Sequence, residues 1–570
     1  MRYHVLACDF DGTLAEDGHV PEPVLEALGR VRASGRALIL VTGRVFDELA
    51  FTFPQLDLFD LLVIENGAVL AWPETREQQP LARPVPPEFV QELIARGVKP
   101  LTTGHVVAAT WHPHETTIVR AIFDLGLDLH LSFNKGAVMV LPSGVNKASG
   151  LAAALNALGY SPRNTIAVGD AENDLCMFDL VECGVAVANA VPAVLERADH
   201  VVSLDHGAGV IEVIECLLRD DGVSVEPAPG RHDLRFGHVR ESDEYVIGIR
   251  GGALMLAGES ASGKSTIAAG LVGALQQHGY QVCVLDPEGD YIPVGGAIAL
   301  GDGERVPDIA AICDLLANPG QSVVVNLLGM SLDQRPGYFA ALVEAINVLR
   351  SAKGRPHWLV VDEAHHVLPA WQPNVPANIA VDGTRTVLIT VDPSHVHPAV
   401  APAVSELIAT GRSAAQTLAR FCTWAGHPQP ALDDLVLAPR DVLVWNLQRD
   451  DTVHVVTPAL PGGGHRRHRR KYAEGDLGPW RSFYFRGPLA QYNLPARNLS
   501  EFLEIAQRID PQTWLYHLQR HDYSRWMREV IRDRDCAAAL ERIESNTELS
   551  APASLALVQA EIERRYTSPA

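Results

Sequence analysis

The apolar run Tyr3–Ala7 leads directly into Asp9-Phe10-Asp11-Gly12-Thr13, and that junction constrains the fold more than any other stretch. A short, mostly apolar run that ends near a glycine turn reads as a buried parallel strand. Both aspartates then stand at its carboxyl end, where open α/β sheets hold their ligands. Two carboxylates one residue apart suit phosphoryl transfer: one can attack phosphorus, the other can move a proton, and a metal ion keeps both usable. An exposed acidic turn would give the same five letters. What separates the two readings is whether partners appear at the ends of other strands.

They do appear. Helical spacing over Val24–Ser34 precedes the apolar run Ala37–Val41, which ends in Thr42-Gly43-Arg44. A threonine hydroxyl beside a glycine amide can hold a phosphate oxygen. Leu61–Ile64 is a further buried run, ending in Glu65-Asn66-Gly67-Ala68. From about 69 to 142 the pattern changes to that of a small α+β insertion, with helices expected over Pro86–Ala95 and His114–Leu125. Strands are expected there over His105–Trp111, Leu129–Phe133 and Ala137–Leu141. Asn146-Lys147 then opens a helix to about Leu158, and a lysine so placed can face a bound phosphate. Thr165–Val168 leads into Gly169-Asp170-Ala171-Glu172-Asn173-Asp174, whose oxygens are suitable hard ligands for Mg²⁺.

These ordered motifs resemble the haloacid dehalogenase superfamily of phosphatases, in its Cof-type branch with a large cap inserted after the third strand. The resemblance covers about residues 1–218 and implies a Rossmann-like core. It also implies Asp9 as the nucleophile that forms an aspartyl-phosphate and Asp11 as general acid and base. Thr42 and Lys147 would hold the phosphoryl group, and Asp170 with Asp174 would bind Mg²⁺ alongside Asp9 and the carbonyl of Asp11. Asn173 would support the metal, and Arg44 and Asn66 would lie near substrate. His105, Trp111, His112 and His114 of the cap are placed to touch substrate or to serve packing and surface roles, the second being favoured. The substrate range it implies is a small phosphorylated sugar, sugar acid or glycolate.

After a linker at 221–234, rich in proline near Glu226-Pro227-Ala228-Pro229-Gly230, a second unit is expected over 235–460. Ala253–Ala257 leads into Gly258-Glu259-Ser260-Ala261-Ser262-Gly263-Lys264-Ser265-Thr266, a complete Walker A loop between a strand and a helix. Its glycines let backbone N–H groups wrap phosphates, Lys264 reaches the terminal phosphates, and Ser265 supplies a Mg²⁺ ligand. Val282–Leu285 ends in Asp286-Pro287-Glu288-Gly289-Asp290-Tyr291, and Trp358–Val361 ends in Asp362-Glu363-Ala364-His365-His366. Asp362 is expected to hold Mg²⁺ through water and Glu363 to polarise the attacking water. Thr390, ending the run Val387–Thr390, is either a γ-phosphate sensor or structural. This set resembles the HerA/FtsK group of ring ATPases, which implies ATP as ligand, homo-oligomers and a completing arginine, with Arg385 and Arg412 as candidates. The alternative is an ATP-driven ring ATPase or a P-loop kinase paired with a phosphatase that acts on nucleotide or nucleic-acid ends.

The basic run 465–471 lies in a second linker, 461–475, and is either a phosphate-contacting or a solvated segment. Residues 476–570 read as a mainly helical domain, capped at Asn498 and at Asp510-Pro511, with Phe502, Ile505, Trp514, Tyr516, Trp526, Val530 and Ile531 as its apolar stripe. Across 570 residues a formal charge of −22 argues against a passive nucleic-acid coat, so nucleic acid is not favoured as a partner. Eight scattered cysteines give no Cys-x-x-Cys pair, hence no zinc site or disulfide framework. With neither a leader nor a bilayer-length apolar run, a cytoplasmic protein without a membrane partner is expected.

Overall fold

The computed structural model describes residues 1–228, 230–239, 244–249, 251–260, 262–289, 296–372, 385–430, 437–438, 440–448, 452–459, 482–531, 533–546 and 548–566. Residues 261, 290, 291 and the basic run 465–471 lie outside them.

The first sheet has eight strands, in the order His200–Val201, Cys183–Ala186, Thr165–Gly169, Val5–Asp9, Ala37–Val41, Leu61–Ile64, Val69–Ala71, Gln78–Pro80. The first six run parallel and the last two antiparallel. Central strands are apolar at every position because helices cover both faces. Leu6 and Cys8 pack with Val24, Leu28, Val213 and Leu217 of the helices Glu22–Ala33 and His206–Asp220. Val5 and Ala7 pack oppositely, against Leu151, Leu155 and Phe178. Asp9 pairs in register with Val41, and Cys8 with Val168. The Asp9, Thr42 and Asp170 loops therefore leave the sheet side by side.

The insertion is a four-stranded antiparallel sheet, ordered Thr102–Thr103, Ala108–Trp111, Ala137–Pro142, Leu129–Asn134. Helices Pro87–Ala95 and Glu115–Asp124 cover one face through Phe89, Leu93, Ile118 and Ala121. Val106, Val107, Met139 and Leu141 pack instead with the core cluster, which seats this cap on the first sheet. Two expectations are corrected. The cap does not begin at 69, because Val69–Ala71 and Gln78–Pro80 extend the core sheet after the tight reversal at Glu65–Gly67. Nor is His105–Trp111 one strand: the N–H groups of residues 105–107 are bound to the Glu65 carboxylate and cannot join a ladder.

The second sheet has eleven strands, seven of them a parallel block in the order Val404–Thr410, Ala253–Gly258, Arg385–Thr390, Trp358–Val361, Val282–Asp286, Val323–Asn326, Ile298–Leu300. Helix Lys264–Gln277 covers one face, and Arg335–Lys353 and Ala414–Ala425 cover the other. The two sheets meet through residues that precede their strands. Lys353 Nζ and an Arg355 Nη donate to the carbonyls of Leu158 and Gly159 at 2.9 and 2.7 Å. The His357 ring meets Asn164 Oδ1 at 3.0 Å, and the Tyr280 hydroxyl donates to Glu182 at 3.0 Å. The strands' carboxyl ends thus point away from this seam.

Beyond residue 481, the strand Phe483–Phe485 pairs with Leu494–Ala496, a partner strand the sequence reading does not anticipate. Five helices from Leu499 to Tyr566 close over Phe483, Phe485, Phe502, Trp514, Tyr523 and Trp526. Asn498 accepts from the Glu501 N–H and Asp510 from those of Gln512 and Thr513, so both caps form. No helix among the described residues is long and apolar enough to cross a membrane.

Candidate active site

Two glycines set the geometry around Asp9. Gly67 has φ +100°, and a Cβ on it would lie 1.9 Å from the Asn146 carbonyl oxygen. A Cβ on Gly150 would meet Gly67 Cα at 2.5 Å. Backbone on backbone, helix Lys147–Leu158 rests on the Glu65–Gly67 turn as no larger residue would allow. The helix starts from a capping box in which Asn146 and Ser149 satisfy each other's backbone N–H. Lys147 occupies the first helical position and points into the core, with no solvent exposure.

Its ammonium donates to Asp9 Oδ1 at 2.5 Å and to Asp174 Oδ1 at 2.6 Å. The second Asp174 oxygen accepts from the N–H groups of Asp170 and Ala171, both at 2.9 Å. Thr13 Oγ1 donates to Asp170 Oδ1 at 2.8 Å. Burial pulls the Lys147 ammonium down, but Asp174 and Asp9 more than reverse this and hold it above the ordinary lysine range. Burial and the neighbouring Asp174 charge push the Asp9 carboxyl up, against the pull of Lys147.

Asp9, Asp170 and Asp174 each offer an oxygen within 4.8 Å of the others. Asp9 Oδ2 is buried without a hydrogen-bond partner. The three carboxylates outnumber the buried Lys147 and the part-exposed Lys135 that pair with them, and a hard divalent cation such as Mg²⁺ fits that donor set.

Thr42 is fully buried directly after Val41, and its hydroxyl accepts from the Arg44 N–H at 3.2 Å. Arg44 grips Asp11 with two donors, at 2.7 and 2.8 Å. Asn66 accepts from Asn173 and donates to Ser132 of the cap, each at 3.0 Å, so Asn66 ties core to cap and Asn173 steadies it. Three contributors were not anticipated. Thr13 orients Asp170, Glu65 binds the cap backbone, and Lys135, at the tip of a cap hairpin, pairs with Asp170. A glutamate before a tight turn and a lysine in a hairpin are ordinary in sequence; only the tertiary fold gives them partners. The cap residues His105 and Trp111 are exposed, while His112 pairs with Glu115 and the His114 ring meets Lys99.

At the second sheet, Gly258 closes against Thr410: a Cβ there would meet the Thr410 hydroxyl at 2.4 Å. Gly263 has φ +97°, and the Lys264 ammonium is folded back on the carbonyls of Gly258 and Glu259 at 2.7 and 3.0 Å. Ser265 and Thr266 are exposed at the start of the helix. Asp286 and Asp362 are buried at neighbouring strand ends, and Asp362 accepts from the Glu363 N–H at 2.9 Å. Glu363 has φ +39°, an unusual conformation for a glutamate. Burial, with His366 and His395 adding, lowers His365 to about 4, so the ring beside Glu363 and Thr390 is neutral. Arg385 is not available to a neighbouring copy: it is buried, paired with Glu406 and bonded to the carbonyls of Gly248 and Gly252. A basic side chain starting a central strand needed an internal acid. Arg412 is exposed.

The sequence profile of the haloacid dehalogenase-like hydrolases matches residues 6–99 and 120–214, which include the carboxylate cluster, Lys147 and the Asn66–Ser132 contact. A phosphoglycolate phosphatase of Saccharolobus solfataricus is 38% identical over 232 residues, spanning 38% of this chain and 92% of the relative. The chain belongs to the haloacid dehalogenase-like hydrolases. Within that family it is an enzyme of the phosphatase type. A phosphoglycolate phosphatase of Haloarcula marismortui shares 31% over 222 residues, covering 38% of this hydrolase and 78% of the relative. A solved haloacid dehalogenase-like hydrolase from Bacteroides thetaiotaomicron is 22% identical, with a TM-score of 0.33, covering 38% of this chain and 99% of that one. The hydrolase's second sheet has its own match: residues 250–336 fit the profile of adenylylsulphate kinase.

Proposed function

We propose that this hydrolase is a Mg²⁺-dependent phosphatase of small phosphomonoesters, phosphoglycolate or a sugar phosphate, carrying a separate ATP-binding unit. The observation that carries it is the Lys147 ammonium bridging Asp9 and Asp174 inside a buried three-carboxylate cluster. Mg²⁺, held by Asp9, Asp170, Asp174 and the Asp11 carbonyl, would supply charge neutralisation for a phosphate dianion meeting an anionic nucleophile.

An Asp9 oxygen attacks phosphorus, and the ester oxygen leaves with a proton from Asp11. Asp11, now a base, takes a proton from the water that attacks the aspartyl-phosphate, releasing phosphate and restoring Asp9. Lys147 and the Thr42 hydroxyl hold the phosphoryl oxygens throughout, and loss of one such partner typically costs about 10²–10³ in rate. Arg44, with a hydrogen bond to each Asp11 oxygen, fixes the orientation of that side chain. The cap excludes water during the first step.

At the second sheet Gly258, Gly263, Lys264, Ser265 and Thr266 would cradle ATP, with Asp362 on Mg²⁺ and Glu363 polarising water, as in HerA/FtsK-like ATPases that assemble with their own copies. The adenylylsulphate kinase match favours a second reading, transfer of the γ-phosphoryl group to an acceptor. Eight free thiols suit a reducing cytoplasm.

Asp9→Asn is expected to abolish phosphomonoester hydrolysis and spare ATP turnover, and Lys264→Ala to do the reverse. Colorimetric phosphate release from phosphoglycolate and from ATP, run on both variants, reads this out. Turnover of phosphomonoesters by Asp9→Asn at the native rate would sink the assignment. γ-Labelled ATP yielding only inorganic phosphate would favour hydrolysis over transfer.

A further inference from the structure

Lys135 sits where two cap strands, Leu129–Asn134 and Ala137–Pro142, are joined by the two-residue turn Lys135-Gly136. Both turn residues have positive φ, +46° and +95°. Asparagine, aspartate or glycine normally takes the first of these positions, because a longer side chain pays about 1 kcal/mol or more there. The strained backbone aims the lysine inward, and its ammonium pairs with Asp170 Oδ2. Gly12 makes room: a Cβ on it would lie 2.5 Å from Lys135 Nζ and 2.4 Å from Asp170 Oδ2. Lys135 keeps 43% of its side chain exposed, whereas Asp170 has none, so the lysine enters the carboxylate cluster from the cap side.

We infer that Lys135 determines substrate specificity, holding the carboxylate of a short phosphate ester once a divalent cation has displaced it from Asp170. The inference rests on the phosphatase reading of the same cluster. Without a metal, the ammonium compensates charge that Lys147 leaves over, and it draws the cap down. A divalent cation on Asp9, Asp170 and Asp174 removes that attraction, because two cations would then share one carboxylate. The displaced ammonium remains tethered within a side chain's length of the reacting phosphate. An anion that meets it there must lie on the same short ester as the phosphate. A phosphoglycolate carboxylate does; a long or uncharged alcohol does not.

Two measurements on Lys135→Gln test this. In calorimetric Mg²⁺ titrations without substrate, the variant is expected to bind the ion about tenfold more tightly, since a competitor for Asp170 is gone. In steady-state assays, the ratio of kcat/KM for phosphoglycolate to that for ethyl phosphate, which lacks the carboxylate, is expected to fall about 10–100-fold, mostly in KM. Lys135→Arg should keep most of that ratio. An unchanged Mg²⁺ affinity, or equal losses on both esters, would overturn the role given to Lys135. Asp9→Asn run beside it separates the two claims: if it is inactive while the Lys135→Gln ratio is native, the specificity inference alone fails. If Asp9→Asn still hydrolyses both esters, the site itself has been misread.

Discussion

Lys147 reaches Asp9 because Gly67 and Gly150 have no side chains. The contact they make is a backbone-to-backbone approach between a turn and a helix, and the lysine at the helix start inherits its position from it. Gly67→Ala is therefore expected to destabilise the fold by about 3 kcal/mol, combining a strained positive φ with a 1.9 Å overlap on the Asn146 carbonyl. Urea unfolding followed by tryptophan fluorescence would measure it, and a change under 1 kcal/mol would mean that the helix can step aside. The acidic and threonine residues of the site were legible individually, because each follows an apolar run. The pairing of Arg44 with Asp11, and of Asn66 with Asn173, was not: these long or amide side chains point toward substrate or neighbour according to the tertiary packing alone.

Among elements, the cap shows how one residue defines a boundary. Glu65 has φ +50°, and its carboxylate accepts from the N–H groups of His105, Val106 and Val107 at 2.7, 2.8 and 3.1 Å. Those three donors would otherwise be stranded between two strands. Glu65→Ala leaves them unsatisfied at a cost of about 2–4 kcal/mol, borne locally by the cap's attachment. Faster amide exchange at residues 105–107 and a rise of about tenfold or more in KM are the expected readouts. Native exchange there would show that the carboxylate is dispensable. The cap's two helices and three longer strands could be read from periodicity. Its true start could not, since Val69–Ala71 and Gln78–Pro80 look alike whether they pair with the core sheet or leave it.

On the scale of the whole molecule, the seam joins the far ends of both sites' supporting elements. Lys353 and Arg355 cap the carboxyl end of the helix that begins at Lys147, and they shortly precede the strand Trp358–Val361, which Asp362 follows. Arg355 is fully buried and bonds also to the carbonyls of Leu316 and Ala317, which end another helix. Burial lowers its guanidinium to about 10, so it stays charged at neutral pH on carbonyl dipoles. Arg355→Ala should cost about 2–4 kcal/mol, because it strands the buried carbonyls the guanidinium now satisfies. Calorimetry should then resolve two unfolding transitions; a single undisplaced one would show that the seam contributes little. With the carboxyl ends of both sheets pointing away from the seam, any coupling between them within one chain must run through these strands and helices, not through shared solvent.

The amino-acid sequence by itself determined the parallel α/β character of both halves and the strand ends at which Asp9, Thr42, Asp170, Gly258 and Asp362 stand. Periodicity and strand-end chemistry are local properties, so they are visible along one dimension. Tertiary structure alone decided that Lys147 is buried between two carboxylates, that Arg385 faces Glu406 and that Lys135 descends on Asp170. Each of these is a charge whose partner lies at least 21 residues away along the chain. A charged side chain is neutral in its information until the fold supplies the counter-charge. Burial then raises the value of the pairing, because a core charge must be met by a counter-charge or, as at Arg355, by several carbonyl oxygens.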